Sequence, residues 1–428
     1  MRGLGLGLGF GIGSEVVPAQ ADPFSYAIVK VDPVQGASAN TDQSVVIPGA
    51  SWTPKLAKIL MLNKVSGNVQ GNSAMTLGFQ AVGLSSYIAN SLQHADATLA
   101  TGSCNSSVQI NFPTTSGPLK YLRPVNNSSY GVGWIEFVPG GATIHWTTAP
   151  GEDFHLIIEF FGGEEFLISA GQTAAFGGGA SGSELTVTGL PFQPELLEVV
   201  APNSSSSPVR FTEGYSGDNG SGLVRGGSMF AINTASGFAV PVDCGQLISD
   251  QYNIGYAFFN SEQQLYNEVS ALTSDGFVIT DRTWTTNSVH SYWAANLNGR
   301  RVHLGHFDTP TSTGNQVIAN LGFIPKCVRI VSTRGTALSY QSSAAESGTF
   351  GVCVADANKA YSIGISSEHG ANPTNVRAYY HEDKWRYDDP SGNAVVEATF
   401  NEFASDFSLN FTTVDSTSRK CLLMAIEE

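Results

Sequence analysis

The chain has 428 residues, 42% of them hydrophobic and only 13% Asp, Glu, Lys or Arg, with a formal net charge of −15 at pH 7. The acidic balance leaves no basic stripe to neutralise phosphates, so no nucleic-acid partner is expected. No run reaches the roughly 18 apolar residues of a membrane helix. A soluble protein without membrane insertion is expected.

Polarity comes from Ser, Thr, Asn and Gly in place of charge, whose average share is about 25%; that balance suits extracellular β-rich proteins. The five cysteines, at 104, 244, 327, 353 and 421, are odd in number and include no close pair. Neither a disulfide framework nor a zinc ribbon is indicated. Cys327 and Cys421 fall at apolar strand positions and are expected as small core residues.

Residues 1–23 open with MRGLGLGLGFGIG, a strict alternation of Gly with apolar residues. Arg2, the apolar tract and Ala19-Gln20-Ala21 resemble a secretory signal with a small-residue cleavage site. Alternate glycines dilute that tract, however, and Glu15 interrupts the approach to the cleavage site. A retained assembly anchor is the favoured reading, with Leu4, Leu6, Leu8, Phe10 and Ile12 on one side of an extended strand that adds to a partner's sheet edge.

One phrase is then spelled three times. Trp52-Thr53-Pro54-Lys55-Leu56-Ala57-Lys58-Ile59 returns as Phe192-Gln193-Pro194-Glu195-Leu196-Leu197-Glu198-Val199 and as Phe323-Ile324-Pro325-Lys326-Cys327-Val328-Arg329-Ile330. A second phrase follows it: Trp146-Thr147-Thr148, Trp284-Thr285-Thr286 and Phe411-Thr412-Thr413, at separations of 94, 92 and 88 residues from the first aromatic. So constant an offset marks three copies of one module. After each Pro the alternation and the Val/Ile/Leu content predict a strand with one face in a core, beginning where the missing N–H does least harm. Closing strands are expected at Phe154–Ile158, Ser291–Ala295 and Cys421–Ile426. With turn clusters between short apolar runs and no sustained helical period, the fold class is all-β: three tandem antiparallel β-sandwiches at 24–163, 164–299 and 300–428 behind the anchor. The first and third copies match further, Leu77-Gly78-Phe79 against Phe350-Gly351-Val352 and Tyr87–His94 against Tyr361–His369. The second is looser and places its Gly/Ser-rich run, 203–228, where a loop insertion is expected.

Catalytic signatures are weak. His303 and His306 with Asp308 are the only close histidine grouping, and on a strand the period of two puts the rings on opposite faces; no metal is expected. No nucleophile elbow, Walker loop or dinucleotide fingerprint occurs. The Gly177–Gly182 run reads as a loop. Glu152-Asp153 and Glu164-Glu165 are adjacent acids of the kind that turns expose, although glycosidases need two carboxylates across a bond. No catalytic residue and no cofactor is assigned. The best recognition candidate is the segment from Tyr379 to Asp389, in which Tyr379, Tyr380, His381, Trp385, Arg386 and Tyr387 mix flat aromatic faces with hydrogen-bonding groups suited to a polyhydroxylated ligand. It also reads as edge strands with aromatics inward and charges outward.

Tandem β-sandwiches, a glycine-rich terminal anchor, low charge and abundant Ser, Thr, Asn and Gly together resemble a tailed-bacteriophage virion protein of the fibre or spike class. Each copy is also similar to the H-type-lectin-like sandwich, in Phe323 to Ile330, Asp406-Phe407-Ser408-Leu409 and Met424-Ala425-Ile426, and in Asp275-Gly276-Phe277-Val278 with Tyr292-Trp293-Ala294. The first copy departs from it with Gly141-Ala142-Thr143-Ile144, and no sugar-binding triad is carried over. The resemblance implies a virion-exterior protein docked to other virion proteins through residues 1–23. It would form a homo-oligomer, a trimer by expectation, and bind a host-surface glycan through its third module without catalysis. Two other readings remain open: a capsid decoration or head-fibre protein, and a spike that degrades polysaccharide.

Overall fold

Proline followed by alternating apolar residues begins a strand in this chain, and the computed structural model is β throughout. It describes residues 23–32, 41–63, 73–82, 87–94, 105–111, 119–122, 129–148, 154–176, 180–200, 209–218, 222–233, 243–257, 264–282, 290–338, 341–342, 348–367, 376–401 and 403–428.

The first ten strands are β1 (Ser25–Val31), β2 (Thr41–Val46), β3 (Pro54–Asn63), β4 (Ser73–Ala81), β5 (Tyr87–His94), β6 (Asn105–Asn111), β7 (Leu119–Leu122), β8 (Ser129–Val138), β9 (Gly141–Thr148) and β10 (Phe154–Gly162). The next ten are β11 (Leu167–Gln172), β12 (Glu184–Val187), β13 (Leu196–Val200), β14 (Val209–Asp218), β15 (Leu223–Asn233), β16 (Asp243–Ser249), β17 (Ile254–Ala257), β18 (Gln264–Thr273), β19 (Gly276–Asp281) and β20 (Ser291–Asn296). The last are β21 (Val302–Asp308), β22 (Gly314–Asn320), β23 (Pro325–Thr333), β24 (Gln341–Ser342), β25 (Gly348–Ala355), β26 (Ala360–Ser367), β27 (Val376–Glu382), β28 (Trp385–Asp388), β29 (Ala394–Phe400), β30 (Asp406–Thr413) and β31 (Lys420–Glu427). One pair of antiparallel sheets has the orders β1-β10-β3-β4-β5-β6 and β2-β9-β8-β7. The same orders recur as β11-β20-β13-β14-β15-β16 with β12-β19-β18-β17, and as β21-β31-β23-β25-β26-β27 with β22-β30-β29-β28. The short β24 pairs with β16, so the third unit's chain extends the second unit's sheet.

Each repeated phrase lies on the third strand of a large sheet, and both of its faces are buried, not the one expected. Ile59, Val199 and Ile330 face a sandwich core shared with the small sheet of their own unit. Leu56 and Leu60, Leu196 and Val200, and Cys327 and Val331 point the other way, into one core common to all three units. The first strands of one unit meet the later strands of another. Stacking of Tyr380 on His155 joins the third unit to the first, and Gly226 fits against Leu422 where the second meets the third. Such head-to-tail contacts close into a ring in cyclic assemblies; here a single chain supplies all three members.

The two charges of the phrase have different tasks. The first holds the segment that follows its own unit's last strand. Lys55 donates to the carbonyls of Phe166 (2.8 Å) and Glu164 (3.3 Å). Glu195 accepts the N–H groups of Leu297 and Gly299, and Lys326 reaches Glu428 at 4.0 Å. In the first and third units this residue sits where the register slips by one against the last strand, a bulge that re-aims the side chain.

The second charge, Lys58, Glu198 or Arg329, points to the common centre, and each of these side chains is at most 4% exposed. Lys58 pairs with Glu198 at 3.0 Å and lies over the Tyr215 ring, 4.7 Å from its centroid. Arg329 grips Glu213 through two nitrogens and Glu159 through a third, and Tyr26 Oη donates to Glu159 at 2.9 Å. Trp293 Nε1 donates to Glu198. At roughly 1.5–3 kcal/mol per fully buried Leu-sized chain, the apolar shell supplies the adhesion. The charges, whose attraction does little more than offset their desolvation, pair across the boundaries between units, Lys58 with Glu198 and Arg329 with Glu159 and Glu213.

Glu198 and Glu213 are shifted in opposite directions. Burial pushes both upward; for Glu213, Arg329 and Lys58 more than reverse it and hold the group below the usual range, while for Glu198 burial prevails over Lys58. A depressed carboxylate contributes stability that is complete above its unfolded value and lost as pH falls through its folded one; Glu198 contributes in the opposite sense, losing stability as pH rises. Glu382, Glu397, Asp415 and Glu427 are depressed as well. The urea midpoint is therefore expected to be lower at pH 3 than at pH 7. A higher midpoint in acid would mean that Glu198 dominates the linkage.

Two sequence expectations change. The run 203–228 is not a looped insertion, because its described part contributes β14 and the start of β15. A Cβ on Gly214 would lie 1.5 Å from the Asn253 carbonyl oxygen, and one on Gly226 2.3 Å from Leu422 Cδ1. Glycine marks close approach there, not a turn. Leu77-Gly78-Phe79 does share a strand position with the stretch around Phe350, but pairing of Phe79 with Lys58 and of Val354 with Arg329 aligns Phe79 with Val354, two residues along. A slip of two keeps every side chain on its face, which is why the pattern could not detect it.

Candidate functional site

The segment 379–389 forms two edge strands, β27 and β28, joined through Asp383. Tyr379, Trp385 and Tyr387 are 3%, 1% and 0% exposed and belong to the third sandwich core, so they are removed as ligand contacts. Trp385 packs edge-on against Phe307 and Phe411, at centroid distances of 5.6 and 5.8 Å, and its Nε1 donates to Ser332 at 3.0 Å. The charged members answer one another. Arg386 donates to Asp388 (2.6 Å) and Glu397 (3.0 Å), and His381 Nε2 lies 3.2 Å from Asp388. Tyr380 is a seam residue: its ring stacks on His155 at 3.7 Å and its hydroxyl donates to Glu382, which also takes Lys30 from β1 at 2.6 Å.

The other candidates resolve simply. Leu4, Leu6, Leu8, Phe10 and Ile12 lie outside the described residues, as do Glu152 and Asp153. Burial lowers the His303 pKa, and His306 is exposed. Among the described residues, no group of three or more His, Cys, Asp or Glu is placed to hold a metal. Cys327, Cys353 and Cys421 are buried free thiols, the last two pushed up to about 12 by burial. Glu165 accepts Asn298 Nδ2 at 2.7 Å and so braces a turn.

Three turns of the third unit border an open hollow of about 490 Å³, the first cavity. The β25–β26 turn brings Asp356 and Asn358, the β27–β28 turn Asp383, and the end of β29 with the segment that follows it Phe400, Asn401 and Phe403. Its walls are fixed. Asp356 Oδ1 accepts the N–H groups of Asn358 (2.7 Å) and Lys359 (2.8 Å), while the Asp356 N–H bonds the Lys359 carbonyl at 2.9 Å. Asp383 is exposed, its N–H bound to the Ala360 carbonyl at 2.8 Å, and its φ of 59° lies in the left-handed region. Only one other described non-glycine residue, Asn298, has a positive φ. Half-buried Phe400 and Phe403 pack together at 6.0 Å over buried Phe407. The cavity thus combines apolar ring surface with carboxylate and amide groups, a lining that meets C–H faces and hydroxyls at once. Asp383 alone belongs to the segment singled out in the sequence; the rest come from separate turns.

No protein-family model matches the chain, and no curated protein matches it. Two solved structures align along most of it, both of OmpT, an in-vitro folded outer membrane protein of Vibrio cholerae. The trimer form has 11% identity over 91% of this chain and 99% of its own, with a TM-score of 0.12. The second has 9% identity over 95% and 98%, with a TM-score of 0.11. Similarity at this level carries no statement about fold or function. Among the described residues, no helix is long and apolar enough to cross a membrane.

Proposed function

We propose that the chain is a non-catalytic attachment protein of a tailed-phage virion, a fibre or spike subunit that holds a host-surface glycan in the cavity of its third unit. The observation that carries the reading is Asp383, an exposed carboxylate held at positive φ on the rim of a cavity floored by Phe400 and Phe403. Aspartate is one of the few non-glycine residues that adopt that backbone readily, so the turn keeps its shape while it presents a carboxylate to the hollow. Fibres are commonly trimeric; this chain already closes a threefold ring around a complete core, and avidity would come from several copies on one particle.

Asp383→Gly separates fold from binding. Relief of the left-handed backbone, roughly 1–2 kcal/mol, is offset by about 0.4–1 kcal/mol of added unfolded-state entropy, so Tm should stay level or rise slightly. Binding of the full chain to immobilised bacterial O-chain and capsular polysaccharides should fall at least tenfold. Unchanged binding by this variant would remove the cavity from the reading. Release of new reducing ends by the wild type would replace attachment with degradation.

A further inference from the structure

We infer that the ligand is an extended saccharide chain lying across the seam between the third and first units, with a second subsite at Trp52; this rests on the glycan reading above. A second cavity, of about 350 Å³, lies on the far side of the β25–β26 turn. Asp356, Asn358 and Lys359 line both cavities, so this turn is a common wall and not a barrier between unrelated hollows. Beyond the wall the lining belongs to the first unit: Ile28 of β1, the turn Pro48-Gly49-Ala50, and half-buried Trp52.

The wall and the far bank are held in fixed relation. Lys359 Nζ donates to the Ile28 carbonyl at 3.5 Å, and nearby Lys30 pairs with Glu382 at 2.6 Å, so two ion or hydrogen-bond contacts close the same seam. The far bank is itself rigid. The Ala50 N–H bonds the Ile47 carbonyl at 3.1 Å across Pro48 and Gly49, whose φ is +76°, the pattern of a type II turn. Each cavity alone falls in the range of about 300–1,000 Å³ that holds a small ligand. Side by side, each with a half-buried aromatic ring in its lining and with polar groups on the shared wall, they fit successive sugars of one chain better than one terminal sugar. Trp52 opens the first copy of the repeated phrase, but its counterparts Phe192 and Phe323 are buried, at 8% and 5% exposed. The site therefore belongs to one seam of the three.

The test uses the full chain and a size ladder, disaccharide to decasaccharide, made by partial hydrolysis of whichever immobilised O-chain or capsular polysaccharide it binds. Affinity should rise at least tenfold between the shortest and longest fragments. Trp52→Ala should flatten that rise. Because Trp52 also packs on the first core, Pro48→Arg gives the same reading from an exposed turn, by filling the second cavity. Equal affinity for short and long fragments, or a length dependence that survives Pro48→Arg, overturns the second subsite but leaves the first cavity in place. Failure of the wild type to bind any polysaccharide overturns the glycan reading and this inference together.

Discussion

Replacing Arg329 with Met is expected to cost about 3–5 kcal/mol, the range for removing one partner from a buried ionic pair. The guanidinium is 2% exposed and is bonded to Glu213 of the second unit and Glu159 of the first. Met fills much of its volume but leaves two carboxylates facing each other in the core, with Lys58 the one cation left in the cluster. Arg329→Lys should lose less, since charge remains but the fork that binds Glu213 through two nitrogens does not. Because this side chain belongs to one unit and its partners to the other two, the loss should weaken the ring as a whole, and Arg329→Met should unfold less cooperatively in calorimetry. Replacing Arg329, Glu213 and Glu159 together with apolar residues of similar volume should restore most of the stability. A loss below about 1 kcal/mol for Arg329→Met would show that water reaches the cluster.

That cluster marks the limit of what the sequence discloses. Recurrence of Pro-charge-x-x-charge was visible, and with it the strands and the all-β class, because hydrophobic period and turn chemistry are local. What the second charge meets is not local. Alternation places Lys58, Glu198 and Arg329 on the same face of equivalent strands, yet nothing in the sequence says that this face is buried against two sister copies. Signs offered one clue. Three identical charges at a common axis would repel, whereas Lys, Glu and Arg together can pair, so the divergence of this position among otherwise similar phrases reflects a shared environment. The cavity was less accessible still. Asp356, Asp383, Phe400 and Phe403 come from three turns, and only the folded sheets bring those turns to one end of the third unit. Glycines misled in a related way, since Gly214 and Gly226 read as turn residues but serve close packing.

Trp385→Ala should destabilise the protein by about 3–5 kcal/mol and leave the affinity of the remaining folded molecules unchanged. The ring is 1% exposed and packed by Phe307, Phe411 and Tyr387, and truncation also leaves the buried Ser332 hydroxyl without its indole donor. In sequence, Trp385 and Tyr387 alternate with Arg386 and Asp388, a pattern that suits a recognition strand and an edge strand equally. Period two assigns the rings to one face and the charges to the other; it does not say which face meets water. Here the rings enter the sandwich, and Arg386, half-buried, is occupied by Asp388 and Glu397. The comparison with Trp52→Ala is the sharper test. Both variants remove an indole, but one ring closes a core and the other borders a groove. Trp385→Ala should lower the urea midpoint with full affinity per folded molecule at low temperature. Trp52→Ala should shift the midpoint less and lose the gain in affinity with saccharide length. If Trp385→Ala instead kept its stability and lost binding, β28 would be exposed to ligand and the third sandwich would have to open to bind.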